Sequence, residues 1–424
     1  MKKPYRLLIF LILVALAVPM ISGAPARAQV GQPTQVWLIP GQSGTLPTVE
    51  YRTAAGKITA SYVIGVDTLG GPRQAAGRVF GYGLDTLPVF DPYKGKVMFY
   101  PVPGKGISTD QEYYNLTAAV PSPDGQQYAY GVILQHADLQ KPATNWVFLA
   151  GLGMNNDTAI LQEQTDAFLA IAPMGWSADG STLLLHDMPQ GIGGYILFWT
   201  YQNVRAYTIL TGQTTLLGNL DGYSGDLQYT ALVERNDSGP TGLLVTRTAT
   251  NEQIRYPLPP VGEQPFSGGG AYFSPSNTKV AYQVARNDPE NEKFWTVVVD
   301  LMTGQSRVVL EDQAAGYDTR YATISGWLDD NTLVVGSEWS QQSAVVDVTT
   351  GQLLREERGS YLGTTTLTAG VAPSGVAFAQ CPGAPPSRLQ PFKNGRITFT
   401  DGTLTNVRQS PGKSGEIVAR KPEG

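Results

Sequence analysis

One short phrase returns five times along the chain: an apolar or small residue, then Ser or Pro, then an Asp, Asn or Gly turn, then an apolar alternating run. It reads Ser122-Pro123-Asp124-Gly125 before Tyr128-Ala129-Tyr130, and Trp176-Ser177-Ala178-Asp179-Gly180 before Leu183-Leu184-Leu185. Phe273-Ser274-Pro275-Ser276-Asn277 precedes Val280-Ala281-Tyr282, and weaker copies stand at Trp327-Leu328-Asp329-Asp330-Asn331 and Ala372-Pro373-Ser374-Gly375. Asp-Gly and Ser-Asn let the backbone take positive φ in a tight hairpin, and Pro presets the entry to the turn, so each copy forces two strands antiparallel. Copies recur roughly every fifty residues, with one double step between Ser177 and Ser274. A hairpin signal at a long, regular period is the mark of a β-propeller.

The double step requires a degenerate unit between its ends. Tyr229 to Leu258 supplies it, with Tyr229-Thr230-Ala231-Leu232-Val233, a turn at Asp237-Ser238-Gly239-Pro240, then Leu243-Leu244-Val245 and Ile254-Arg255-Tyr256. A second echo, Thr-Gly-Gln after an apolar strand, stands late in three units, at Thr211-Gly212-Gln213, Thr303-Gly304-Gln305 and Thr350-Gly351-Gln352. The two echoes keep the same phase. The resulting partition is seven blades, near 32–105, 113–165, 168–220, 226–262, 268–313, 319–357 and 364–410; six blades is the alternative, because the first stretch is long and irregular. If seven is right, Gln35-Val36-Trp37-Leu38-Ile39 pairs into the last sheet and closes the ring, which removes free edges. The expected fold class is therefore all-β. The best helix candidate, Asp157 to Ala170, reads equally well as an outer strand.

The Ser-Pro-Asp-Gly phrase with its following apolar strand resembles the repeat of TolB-like, or WD40-like (PD40-type), propeller domains. Propellers of this kind also form part of prolyl oligopeptidase and dipeptidyl peptidase IV relatives. The resemblance covers Tyr113 to Val376. It implies an exported bacterial propeller that presents loops to a partner, and it says more about fold than about function. The Gly-His and Trp-Asp dipeptides of intracellular WD40 repeats are absent.

The first residues concern address. Lys2, Lys3 and Arg6 precede a nearly continuous apolar run from Leu7 to Ile21, and Ala26-Arg27-Ala28 offers small residues at the two positions a signal peptidase reads. Residues 1–28 are expected to be a secretory signal peptide cut before Gln29, with residues 29–410 forming the propeller and residues 411–424 a disordered tail. A retained anchor is the rival reading, but the run is shorter than the roughly 20 residues that span a bilayer. A secreted or periplasmic, cell-envelope location with no stable membrane span follows. Loss of residues 1–28 removes four basic residues and no acid, taking the formal charge from −5 to about −9. That balance disfavours nucleic acid as a partner. The single cysteine, Cys381, excludes an intramolecular disulfide framework, so stability must come from apolar burial.

A search for chemistry returns mainly exclusions. The only histidines are His136 and His186, in different blades, and no Gly-x-Ser-x-Gly elbow exists, since Gly222-Tyr223-Ser224-Gly225-Asp226 lacks the final Gly. No Cys or His cluster has metal-ligand spacing, and Asp329-Asp330-Asn331 and Asp288-Pro289-Glu290-Asn291-Glu292 read as hairpin turns rather than Ca²⁺ loops. Neither a metal nor a cofactor is expected. Trp176, Phe273 and Trp327 hold matching places beside the repeat phrase and are expected to wedge between blades. Trp199, Tyr201, Trp295 and Trp339 lie beside polar residues and are the candidates for a binding face. Two functions remain open: an exported, non-enzymatic binding or scaffold module for a protein or cell-envelope glycan, and an exported carbohydrate-active hydrolase or lyase with carboxylates at the propeller channel. Two carboxyl groups facing each other at roughly 5 to 10 Å would favour the second.

Overall fold

The structure is a computed structural model. It describes residues 31–41, 45–65, 70–82, 86–101, 112–152, 157–190, 198–286, 292–314, 320–337, 341–368, 371–372, 374–380, 405–408 and 417–421. The expected signal peptide, Cys381, Trp339 and the 288–291 part of the acidic run lie outside the described residues.

Every described element is a strand, and the strands build seven four-stranded antiparallel blades in a ring. Blade 2 holds Gly70–Ala75, Arg78–Tyr82, Thr86–Asp91 and Lys96–Pro101; blade 3 holds Glu112–Pro121, Gln127–His136, Ala143–Gly151 and Asp157–Thr165. Blade 4 runs Leu169–Trp176, Thr182–Pro189, Tyr201–Thr208 and Thr214–Leu220, and blade 5 runs Gly222–Tyr223, Tyr229–Asn236, Gly239–Arg247 and Glu252–Pro257. Blade 6 is Ser267–Phe273, Lys279–Arg286, Glu292–Asp300 and Ser306–Ala314; blade 7 is Thr323–Asp329, Thr332–Ser337, Gln342–Asp347 and Gln352–Arg358. In each of these the first strand is innermost. The helix candidate at Asp157 is the outer strand of blade 3.

Blade 1 is composite. Pro33–Ile39, Thr48–Arg52 and Ile58–Ile64 receive their innermost strand from Ser360–Thr366, paired antiparallel with Gln35 opposite Thr364. The blade count of seven stands, but its partition differs from the expected one at both ends. Residues 32–105 contain three strands of one blade and all of the next, and 364–410 is not a blade. Ser360–Thr366 joins the N-terminal sheet, and the next strand, Gly375–Gln380, runs parallel to Ile58–Ile64 and then to Lys96–Pro101. It thereby ties the outer edges of blades 1 and 2. Residues 383–424 form a separate unit in which Thr405–Arg408 pairs with Ile417–Lys421.

The repeated phrase is the turn between the two inner strands of a blade, and one hydrogen-bond scheme explains its composition. Ser122 Oγ donates to Asp124 Oδ1 at 2.5 Å and accepts from Gln127 N at 3.0 Å, while Asp124 Oδ1 accepts from Gln126 N at 3.0 Å. Ser177 and Asp179 repeat it, at 2.6 Å between side chains, and the Ser177 hydroxyl holds the Asp179 carboxyl down at about 2. The copy missing between Ser177 and Ser274 is Ser224-Gly225-Asp226-Leu227, with Ser224 Oγ 2.7 Å from Asp226 Oδ1. Its left-handed corner is Leu227 (φ 56°) where the others place Gly125, Gly180 and Asn277, which hid it from a composition-based reading.

These turns also bind neighbouring blades together. Ala178 N donates to Gly225 O, Asn277 Nδ2 to Asp226 Oδ2, and Ser276 N to Asp330 Oδ1. Trp176 and Trp327 wedge between blades as expected: each indole N–H donates to an inner-strand carbonyl of the preceding blade, Val120 O at 3.3 Å and Tyr272 O at 2.9 Å. Apolar clusters fill the spaces between sheets. The largest draws on blades 5 and 6, with Val233, Leu243, Val280, Tyr282, Trp295 and Val297.

Closure rests on Trp37, 0% exposed, whose ring meets that of Tyr361 at 5.4 Å, and on Tyr361 Oη, which donates to Trp327 O at 3.1 Å. Trp37→Ala should lower the unfolding free energy by about 3–5 kcal/mol. Tyr361→Phe, which leaves the buried Trp327 carbonyl without that donor, should lower it by about 1–3 kcal/mol. Urea melts check both; wild-type midpoints would show that the ring is not held at this seam.

Candidate functional site

Inner strands touch their neighbours in ring order, and the contact is weakest between blades 4 and 5. The cause is the two-residue inner strand of blade 5, Gly222–Tyr223, which covers only the lower half of Tyr229–Asn236. Where a longer strand would have satisfied Val233 N, the Asp221 carboxylate does so at 2.7 Å, and its other oxygen accepts from Thr200 Oγ1 at 2.7 Å. The segment from Phe198 to Thr200 therefore crosses blade 5. Phe198 reaches blade 6, where the missing side chain of Gly269 makes room for it and its ring meets Phe294 edge-on at 6.1 Å.

The result is a channel-side crevice between blades 4 and 5 with an unusual set of side chains. Arg73, from the inner strand of blade 2, crosses the channel-facing edge of blade 3 and donates from Nη1 to Met174 O of blade 4 at 3.1 Å. The next residue, Gly175, is where Tyr223 of blade 5 places its hydroxyl; a Cβ built there would lie 1.9 Å from that oxygen. Met174 and Leu184 form an apolar floor with Val204 and Leu220, against which Tyr201 and Tyr223 pack. Tyr201 stands edge-on to the His186 ring at 5.0 Å. Tyr272, from the inner strand of blade 6, completes the group.

Electrostatics place these residues in one environment. Burial pushes the Tyr223 and Tyr272 hydroxyls up to about 12, with Tyr201 adding to the rise and the Arg73 guanidinium opposing it in both. Tyr272 still keeps 39% of its surface open to water. Burial lowers the His186 value, and hydrogen bonding to the Asp187 carbonyl offsets only part of that, so the ring is neutral at pH 7. Arg73 has no carboxylate partner among the described residues, and the Tyr201, Tyr223 and Tyr272 hydroxyls have no hydrogen-bond partner there.

Of the four aromatic candidates from sequence, the structure brings one, Tyr201, into this crevice. Trp199 is half-buried on the crossing segment beside it. Trp295 is 0% exposed on the third strand of blade 6, with Nε1 donating to Glu311 at 3.1 Å and the Lys293 ammonium 5.2 Å over its ring. It is a core residue with no surface to offer. Arg73, Tyr223 and Tyr272 carry no local motif and were not among the candidates; their only signal is position, within three residues of the turn that ends each inner strand.

The carboxylates by the crevice and at the inner turns have partners: Asp187, beside His186, accepts from Asn203 Nδ2 at 2.8 Å and pairs with Arg205 at 3.4 Å. Asp329 accepts from Asn331 N at 2.8 Å, and Asp221 is 3% exposed with the two bonds given above. No group of three or more metal-ligating side chains occurs among the described residues, and no helix among them is long and apolar enough to cross a membrane.

No protein family matches the sequence, and no curated protein matches it either. Solved structures do show likeness. An oligogalacturonate lyase from Vibrio parahaemolyticus is 10% identical with a TM-score of 0.45, covering 77% of this chain and 95% of that one. The hydrazine synthase of Kuenenia stuttgartiensis is 13% identical with a TM-score of 0.41, covering 77% and 98%. Prolyl oligopeptidase B from Galerina marginata is 12% identical with a TM-score of 0.41, covering 68% and 43%. Likeness this distant decides nothing about the site, and the propeller fold stands on its own strand pairing.

Burial raises the Asp221 carboxyl above its ordinary value, the bonds from Val233 and Thr200 offsetting only part of the rise. Below about pH 3.9 both folded and unfolded chains hold the proton. As pH rises the unfolded chain releases it first, so this group's contribution to stability falls until the native carboxyl also ionises. Asp221→Asn keeps an acceptor for Val233 N and lacks that loss. The difference in unfolding free energy should move in favour of the variant as pH is raised from about 3 to about 7; a constant difference across that range would refute the desolvated carboxylate.

Proposed function

We propose that this protein is a non-enzymatic binding or scaffold module of the cell envelope, exported and retained outside the cytoplasm, which seats part of a protein or envelope glycan in the crevice between blades 4 and 5. One observation carries the reading: Arg73 bonds to Met174 O beside Tyr201 and Tyr223, and among the described residues its guanidinium has no acid partner and the Tyr201, Tyr223 and Tyr272 hydroxyls have no hydrogen-bond partner. Polar groups that face water without a protein partner are open to a complementary surface. Tyr and Arg are also the residues that dominate binding energy at interfaces. The resemblance of the Ser-Pro-Asp-Gly repeat to TolB-like propellers and the basic-then-apolar start of the chain support the location. A carbohydrate-active hydrolase or lyase would need carboxylates free to act at the channel, and among the described residues Asp187, Asp221 and Asp329 each have hydrogen-bond partners.

The test is retention of a partner from an extract of the protein's own cell envelope on the immobilised protein. Tyr201→Ala and Tyr272→Ala should each weaken retention by roughly tenfold. Leu353→Ala, on the exposed outer strand of blade 7, should leave it unchanged. Equal retention by all three variants, or conversion of an envelope glycan by the wild type, would overturn the reading. Cell fractionation should recover the protein outside the cytoplasm with Gln29 at its N-terminus.

A further inference from the structure

The acceptor pattern for asparagine-linked sugar, Asn-x-Ser or Asn-x-Thr with x not Pro, occurs three times: Asn115-Leu116-Thr117, Asn156-Asp157-Thr158 and Asn236-Asp237-Ser238. So short a pattern recurs by chance, and the fold separates the copies. Asn156 lies outside the described residues. Asn115 stands on the innermost strand of blade 3, where its Nδ2 donates to Gln135 Oε1 at 3.5 Å and the Thr117 hydroxyl donates to Ile171 O of blade 4 at 3.3 Å. Both groups of that triplet are taken by neighbouring strands.

Asn236 is placed differently. It ends the second strand of blade 5, and Asp237 and Ser238 form the two-residue turn into Gly239–Arg247. Arg235, Asn236, Asp237 and Ser238 are all exposed. Ser238 N donates to Asn236 Oδ1 at 2.8 Å, which holds the carboxamide at the turn. Among the described residues, Asn236 Nδ2 and the Ser238 hydroxyl have no hydrogen-bond partner. Asn236 pairs with Gly239 through the backbone, so a substituent on its side chain leaves the ladder intact. This copy alone has an acid two residues before the Asn: Glu234, against Tyr113 and Met154 in the others. Glu234 pairs with Arg255 at 3.0 Å on the surface, a bond that costs little to release, and it gives a transferase a charge to hold beside the acceptor nitrogen.

We propose that Asn236 is a glycosylation site, modified outside the cytoplasm by transfer from a lipid-linked oligosaccharide pyrophosphate. Asn236 Nδ2 forms a bond to C1 of the first sugar and gives up one proton. The bond from C1 to the pyrophosphate oxygen breaks, its electron pair stays on that oxygen, and the lipid pyrophosphate leaves. The inference rests on the export part of the reading above and is independent of the crevice.

The test is mass spectrometry of the wild-type protein purified from its own cell envelope, on the intact chain and on the proteolytic peptide that holds Asn236. The intact mass should exceed what the sequence gives from Gln29 onward by a whole number of sugar residues, and fragmentation should place the increment on Asn236. Asn236→Gln and Ser238→Ala should each abolish the increment, Ser238→Thr should keep it, and Asn115→Gln should leave it unchanged. The wild-type measurement needs no variant and stands even if one misfolds. An exported protein cut before Gln29 with the mass of the bare chain would overturn the inference and leave the export reading standing. An increment that persists in Asn236→Gln would overturn it as well. A bare, uncut chain recovered from the cytoplasm would defeat both.

Discussion

The pairing of Ser360–Thr366 with Pro33–Ile39 is the constraint on which the rest of the structure depends. A propeller sheet buries both faces against its neighbours, so no blade is complete until the ring is closed. Without that strand, blade 1 would present Pro33–Ile39 as a bare edge and blade 7 would lose its neighbour. Side chains reinforce the seam. Arg52 of blade 1 bridges Glu357 of blade 7 at 2.8 Å and stacks its guanidinium 4.9 Å over Trp37. Gly375–Gln380 then adds an outer tie between blades 1 and 2, so C-terminal segments secure the N-terminal blade at both its inner and outer margins.

Once the ring is closed, the local exception becomes informative. Each turn of the Ser-x-Asp type fixes where its inner strand ends, and the bonds between successive turns set the spacing of the blades. Blade 5 keeps the turn, Ser224 to Leu227, and gives up most of the strand before it. The backbone donor left at Val233 must still be satisfied, and Asp221 with Thr200 does this by drawing the segment that precedes Tyr201 across the gap. The same rearrangement brings Tyr201 to Tyr223. A shortened strand, a buried carboxylate and an aromatic crevice are thus one structural event.

The architecture was legible because its signal is local and repeated. A Ser, an Asp two residues on and a left-handed corner are each demanded by the turn's own hydrogen bonds, so they survive in sequence wherever the turn does. The partition was harder to read because blade 2 turns at Ala76-Gly77 with no Ser or Asp, and because the phrase at Ala372 leads into an extended parallel strand. The site was mostly illegible for a different reason. Tyr201 could be picked out as an aromatic among polar residues, but the same criterion selected Trp295, whose polar neighbours serve packing. Arg73, Tyr223 and Tyr272 come from blades 2, 5 and 6 and meet only through closure of the ring, which no spacing in the sequence records.

The chain as a whole is acidic, with a formal charge of −5, yet among the described residues Arg73 has no carboxylate partner. Acidic residues are plentiful enough to neutralise it, as they do for Arg52 and Arg205, each held between two carboxylates. At Arg73 the alternatives are closed as well. The raised Tyr223 and Tyr272 values keep those phenols protonated at any physiological pH, so no phenolate forms beside the guanidinium. Arg73 is exposed, and its one bond to a protein acceptor among the described residues is to the Met174 carbonyl. Solvent must supply the remaining stabilisation, and the partial exposure of Tyr272 shows that water reaches this wall. Any ligand that displaces that water has to restore what the water gave, and a neutral group would leave the guanidinium worse off than before binding.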